Sequence, residues 1–298
     1  MKVCTASSAR CPGCQIDRIE DGFLQLGHEI TPHIHEADLV YVNNAWFDSV
    51  INDKRKGNVK GKIIFNVLDL APHISTFPLE KLIDQLSWAD KVTTISKFVQ
   101  YDLENRTGYK SDVIYQPIKP IYNNGIKKHP FRFLSVGRLN DPNKRNYLAE
   151  ETLSLLGIEE KELVNVGSEP VRFGYNWGVA SDEILNELYN SVDFVLFFGR
   201  SEGIGLPMIE ALAAGKIPII CNDLTTRQEF LPSKFFPEYD DCYPNAVSLA
   251  NFLARFMQDN NFYEEFRARL LTHFIFNIGP NFTNIGVAEK ILKVYESI

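Results

Sequence analysis

Residues 194–198 read Phe-Val-Leu-Phe-Phe, five apolar side chains in a row, so a strand built from them has no face to offer water. Such a strand belongs inside a parallel sheet covered on both sides, and parallel neighbours need long crossover connections, usually helices. The rest of the chain repeats that rhythm. Segments 2–5, 38–42, 62–68, 91–95 and 113–116 read as strands, helical periodicity runs over 17–26 and 79–88, and Ser96 is an N-cap for a helix over 97–106. A Pro-rich segment at 117–120, continuing through Asn123-Asn124-Gly125, marks a domain boundary. Beyond it the pattern restarts with strands at 131–136 and 163–166 and a helix over 146–156. Ser181 then caps a helix whose apolar face is Ile184, Leu185, Leu188 and Val192. After the Phe194 strand come a strand at 216–221 and helices at 246–257, 262–275 and 287–295. The predicted class is α/β, with two doubly wound parallel-sheet domains.

The turn after the Phe194 strand carries the chemistry. It reads Glu202-Gly-Ile-Gly-Leu-Pro-Met-Ile-Glu210, with a third glycine at Gly199. Glycines there let a ligand approach the main chain, and Pro207 suits the first helical position, where its missing N–H is no loss. The amides around Gly203, Ile204, Gly205 and Leu206, with the positive end of the helix, define a place where a phosphate is favoured. Glu202 and Glu210 would repel that phosphate, which leaves them the task of accepting hydrogen bonds from sugar hydroxyls. Either acid alone is as well explained as an ordinary surface or helix-end glutamate. The pair, with the glycine-proline turn between, points to a sugar nucleotide.

Ligands of open parallel sheets bind beyond the carboxyl ends of the strands. That rule selects Gly137 and Arg138, after the 131–136 strand, and Lys144 six residues on. Alone these two cations would be solvated surface charges. Facing the helix start, an Arg fork and a Lys point charge would hold a diphosphate and stabilise it as it leaves.

Composition narrows the alternatives. With 298 residues and 45% hydrophobic content, each domain can bury a full core. The net charge of -7 argues against a general nucleic-acid binder. No stretch is long and apolar enough to span a bilayer, and the opening residues lack a signal-peptide pattern, so a cytoplasmic location is expected. Five cysteines do not make a disulfide framework, and Cys11-Pro-Gly-Cys14 with Cys4 nearby falls short of the four ligands of a structural zinc site. Lys54, Arg55, Lys56, Lys60 and Lys62 follow Trp46, Phe47, Val50 and Ile51 in an amphipathic arrangement, which reads either as a solvated basic loop or as a seat on an anionic membrane.

The succession SVGRLNDPNK, then FGYNWGVASDEILNELYNSVDFVLFF, then GRSEGIGLPMIEALAAGKIPIICND resembles the C-terminal domain of family 4 retaining glycosyltransferases of the GT-B fold. The resemblance covers about half the chain well and reaches more weakly to LGHEIT at 26–31, ADKVTTISKFVQYDL at 89–103 and the final helix. It implies two Rossmann-like domains facing across a cleft: an acceptor-side domain over 1–122, shorter than usual, a sugar-nucleotide domain over 123–280, and a last helix over 281–298 crossing back to the first. By the same resemblance, Glu202 contacts the donor sugar, Glu210 the ribose, and Arg138 with Lys144 the diphosphate. Gly13 stands closest to the family's close-approach glycine, and the segment from Phe173 to Val179 lies near the nucleobase, with Trp177 as a stacking surface. The histidine that often follows the third strand of the family is missing. Asp69 or His73 takes its place near the reacting centre, and Asn43, Asn44 and Trp46 are further acceptor-side candidates.

The expected activity is therefore retaining transfer of a hexosyl group from a UDP-, GDP- or similar nucleotide sugar to a sugar, lipid or protein acceptor. The resemblance implies front-face transfer with a donor phosphate oxygen taking the acceptor proton. No metal or other cofactor is expected, because protein cations do the charge work. Other readings are a nucleotide-sugar epimerase or phosphorylase of the same fold and a catalytically silent sugar-nucleotide binding protein. A dinucleotide oxidoreductase is disfavoured, because no GxGxxG opens the first helix of either domain.

Overall fold

All strand pairings among the described residues are parallel, which is what five-residue apolar runs without alternation require. In a computed structural model of the chain, the structure describes residues 1–6, 15–43, 47–68, 79–119, 121 and 127–298. They form two units, Met1–Ile118 with Pro280–Ile298, and Lys119–Gly279. Gly13, Asp69 and His73, together with Cys11, Cys14, Asn44 and Trp46, lie outside the described residues.

The first unit runs β1 (Lys2–Ala6), α1 (Ile16–Gln25), β2 (Glu29–Ile30), β3 (Leu39–Asn43), α2 (Phe47–Arg55), β4 (Lys62–Val67), α3 (Leu79–Ser87), β5 (Lys91–Thr94), α4 (Lys97–Thr107) and β6 (Asp112–Val113). Its sheet has the order β2-β1-β3-β4-β5-β6. All five residues of β3 are buried, so this strand is covered on both faces. Ser96 caps α4 as expected, its hydroxyl accepting from the Val99 amide at 3.2 Å. The expected strand at 113–116 shrinks to two residues. Ile114 still donates to Thr94 at 2.8 Å, but Tyr115 then stacks on Phe282 and Ile118 donates to the Phe282 carbonyl, so the chain leaves the sheet for the returning segment.

The second unit runs β7 (Phe133–Val136), α5 (Tyr147–Leu155), β8 (Leu163–Val166), β9 (Tyr175–Gly178), α6 (Asp182–Ser191), β10 (Phe194–Phe197), α7 (Leu206–Ala213), β11 (Ile217–Ile220), α8 (Arg227–Phe230), α9 (Ala246–Gln258) and α10 (Asn260–His273). The sheet order is β11-β10-β7-β8-β9, with the Phe194 strand flanked on both sides. Leu134, Val164 and Val195 from the sheet meet Leu185, Leu188 and Ala211 from the helices in one apolar cluster. Burial of each such side chain contributes roughly 1.5–3 kcal/mol.

After a π-helical turn at Phe274–Ile278, α11 (Asn284–Glu296) returns to the first unit. It packs Val287, Ala288 and Ile291 against Ile19 and Phe23 of α1. The helices approach closely at Gly22, where a Cβ would run into the Asn284 carbonyl, and the Asn284 amide donates to Asp21 at 2.7 Å.

Candidate functional site

The site is built at the carboxyl ends of β7, β10 and β11, from three loops laced together by side chains. Gly137 ends β7 with φ +134, a conformation only glycine adopts freely, and its carbonyl lies so close to Gly167 that a Cβ there would clash with it. The loop that follows contains Asn143, whose side-chain amide donates to the Ser201 carbonyl at 2.7 Å and whose oxygen accepts from the Ser201 amide at 3.0 Å. Arg145 sits in the left-handed region at φ +47, an uncommon place for a side chain of that size. It is held there by a bond to the Phe198 carbonyl at 2.8 Å and a bidentate pair with Asp223 at 2.8 and 2.9 Å. From the β11 side, the Thr225 hydroxyl accepts from the Glu202 amide at 3.0 Å, and Thr226 donates to the Ile204 carbonyl at 2.8 Å.

Inside this lacing, Lys144 and Glu202 meet. The Lys144 ammonium is 2.6 Å from Glu202 Oε1, with both side chains mostly shielded from solvent, and it lies 5.7 Å from the centre of the Phe197 ring. That ring also lies against Gly205, where an added Cβ would stand 2.9 Å from it. Gly205 is the N-cap of α7 with φ +86, no side chain caps the helix, and no acid stands in its first turn. The Met208 amide donates to the Gly205 carbonyl at 3.0 Å and Pro207 has no N–H, so the positive end of the helix is presented by the amides that precede Pro207. Gly203, Ile204, Gly205 and Leu206 are therefore assembled beside the Lys144–Glu202 pair.

Glu210 lies one turn into α7 and is almost fully buried. Tyr189 donates to its Oε2 at 2.8 Å. Burial, and secondly the Glu210 charge, hold the Tyr189 hydroxyl well above the usual tyrosine range, so it stays a donor at any ordinary pH. Arg138 differs from its partners. Its side chain is 72% exposed, and among the described residues its carboxylate contact is Asp141 at 3.8 Å, too long for a tight bond. A cavity of about 350 Å³ borders the same loop, lined by Leu139, Pro142, Tyr147 and Phe173 among others, and not by Arg138, Lys144 or Glu202. Trp177 is occupied elsewhere: its ring sits edge-on to His129 at 5.2 Å and joins the packing around the unit's core.

In the first unit, Asn43 ends β3 and is fully buried. Its Oδ1 accepts from Asn66 at 2.9 Å, and Asn66 Oδ1 accepts from Thr93 at 3.0 Å, a ladder across β3, β4 and β5. The Asn43 Nδ2 has no hydrogen-bond partner among the described residues. Cys4 is buried, and burial with the nearby Glu20 pushes its thiol up to about 11, which leaves little thiolate for a metal. Val50 and Ile51 are buried in the unit's interior, while Arg55 pairs with Asp84 and both Lys54 and Lys62 approach Asp90, so this stretch keeps its apolar side inside. No helix among the described residues is long and apolar enough to cross a membrane.

Sequence reasoning missed Asn143, Arg145, Asp223, Thr225 and Tyr189. All but Tyr189 sit in loops, and the pairings of the five span 21 to 78 residues, beyond any local period.

No family model matches the chain. A curated relative, "Putative glycosyltransferase 41" of Sulfolobus islandicus filamentous virus (isolate Iceland/Hveragerdi), is 28% identical over 156 residues, 51% of this chain and 46% of its own length. The chain thus spans under half of that relative. Among solved structures, a sucrose-phosphate synthase from Thermosynechococcus elongatus superposes with TM-score 0.77 at 13% identity, covering 100% of this chain and 98% of that one. Anabaena HepE, solved with UDP and glucose, superposes with TM-score 0.73 at 14% identity over 100% of both chains. The fold is that of GT-B glycosyltransferases, with two parallel-sheet domains.

Proposed function

We propose that this chain is a retaining glycosyltransferase that moves a hexosyl group from a nucleoside-diphosphate sugar to an acceptor. The observation that carries this reading is the Lys144–Glu202 pair at 2.6 Å beside the uncapped, acid-free start of α7. Glu202 fixes the direction of the ammonium, and the helix amides add their partial positive charge at the same place, so a diphosphate meets donors already in position. Arg138, held by no tight bond, closes on the diphosphate from solvent. Glu202 accepts from a donor-sugar hydroxyl, and Glu210, oriented by Tyr189, accepts from the ribose. Gly137 lets the backbone approach. Acceptor recognition falls to the first unit, where Asn43 is the described candidate. The work of neutralising the leaving group falls to protein cations, and no metal cofactor is part of the mechanism. HepE, with UDP and glucose bound on the same fold, supports this class of donor.

Calorimetry with a panel of nucleoside diphosphates, followed by a donor-hydrolysis screen using the best binder, tests the reading. Lys144→Met should weaken binding by about ten- to a hundredfold, the worth of one charged hydrogen bond. Glu210→Gln should weaken nucleotide affinity, while Arg138→Ala should depress turnover more than affinity. Wild-type kinetics in all three variants would reject the assignment, and turnover that disappears with chelator would reject its metal-free chemistry.

A further inference from the structure

A second cation-rich cavity lies at the opposite edge of the same sheet. Its volume is about 450 Å³, and its lining includes Arg132, just before β7, Phe194 at the start of β10, and Lys216, just before β11. Since all these strands run the same way, this is the amino edge. A four-residue strand, roughly 13 Å, separates it from the start of α7.

Lys216 is the group that needs explaining. It is 7% exposed, and its ammonium donates to the Asn190 carbonyl in the last turn of α6 at 2.9 Å. A lysine capping a helix end is an ordinary structural device, and it uses one of three N–H donors. Among the described residues the other two have no acceptor, and no carboxylate comes within ion-pair distance. The two acids of the cavity are engaged: Lys127 and Arg132 hold Asp193 at 2.5 and 3.9 Å, and Arg267 holds Glu264 at 2.8 Å while donating to the Gly215 carbonyl. Arg132 also pairs with Glu162 at 3.5 Å, so of the four cations that line the cavity it is Lys216 that has no carboxylate partner among the described residues. Leaving a buried charge without a counter-charge is costly. Tyr263, packed edge-on against Phe194 at 5.6 Å, also lines the cavity, with a hydroxyl that makes no bond among the described residues.

We propose that this cavity is a second anion site, taking a small phosphate-bearing molecule, with Lys216 as its central contact and Arg267 and Tyr263 as flanking donors. A phosphate has enough acceptor oxygens to satisfy the two idle Lys216 N–H groups and a phenol at once. The Lys216 pKa is lowered to about 8, by burial first, with Asp193 opposing the drop and Lys127 and Arg267 adding to it, so the group is still mainly cationic at neutral pH. Nothing at this cavity depends on what the opposite edge of the sheet binds.

Calorimetric titration of inorganic phosphate into the full chain tests the site. Lys216→Met should weaken this binding at least tenfold, Tyr263→Phe severalfold, and Lys144→Met should leave it intact. Wild-type affinity should fall as pH rises through about 8, where Lys216 loses its proton in the field of Asp193, Glu264, Lys127, Arg132, Arg267 and Tyr263. In the unaltered protein, saturating phosphate should slow acetylation of Lys216 by acetic anhydride severalfold, read by mass spectrometry. Unchanged affinity in Lys216→Met, loss of all phosphate binding in Lys144→Met, or equal acetylation rates with and without phosphate would each overturn the site.

Discussion

The two sheets end differently at their carboxyl edges. In the second unit that edge is ionic: Lys144 meets Glu202, Arg145 meets Asp223, and side chains bind three loops to one another. Among the described residues of the first unit, the ends of β3, β4 and β5 carry a neutral ladder of Asn43, Asn66 and Thr93, every member buried. Under the proposed function, charge on one side and amides on the other would serve two different ligands. An ionic edge stabilises phosphate; an amide edge offers donors and acceptors together, which suits hydroxyl groups and does not repel or attract charge.

Three substitutions would break or sharpen that contrast. The largest effect is expected from Arg145→Ala, which removes the Phe198 and Asp223 bonds that fix the loop carrying Lys144. It should cost about 3 kcal/mol in denaturant unfolding and weaken nucleoside-diphosphate affinity along with it. Asn66→Leu cuts the middle of the ladder and strands the Thr93 hydroxyl and Asn43 oxygen. A loss of about 2 kcal/mol with nucleotide affinity held within twofold would confirm that the amide edge takes no part in donor binding; a parallel loss of affinity would erase the contrast. The smallest change should come from Asn43→Ala, which removes one orphaned donor while orphaning the Asn66 amide, so the melting temperature should move little. If Asn43 grips the acceptor, the variant should instead raise the acceptor KM at unchanged donor affinity.

Much of this fold was readable because its signals are local. The Phe194 strand declares itself by lacking alternation, and Ser96 and Ser181 cap the helices that follow them. The start of α7 is visible in its glycines and Pro207. The edge strand β9 was not, since its residues are exposed or half-buried and its sequence, Tyr-Asn-Trp-Gly, carries no apolar run. Gly22 carries no local sign of its role, because what comes against it is Asn284, far along the chain. In the site, residue types and their loops were legible, whereas the pairing of Lys144 with Glu202 and the burial of Glu210 beneath Tyr189 depend on how strands are ordered in space. Trp177 packs edge-on against His129, and Phe173 lines the cavity beside the loop after β7, contacts that no local pattern announces.

The return of α11 has a consequence for how the protein is made. The core of the first unit draws Val287, Ala288 and Ile291 from a segment translated after the whole of Lys119–Gly279. At roughly 5–20 residues per second, α1 waits on the order of ten to fifty seconds before α11 can cover Ile19 and Phe23, while the later-synthesised unit is contiguous and can close first. The order of maturation on the ribosome is thereby reversed relative to the order of the chain.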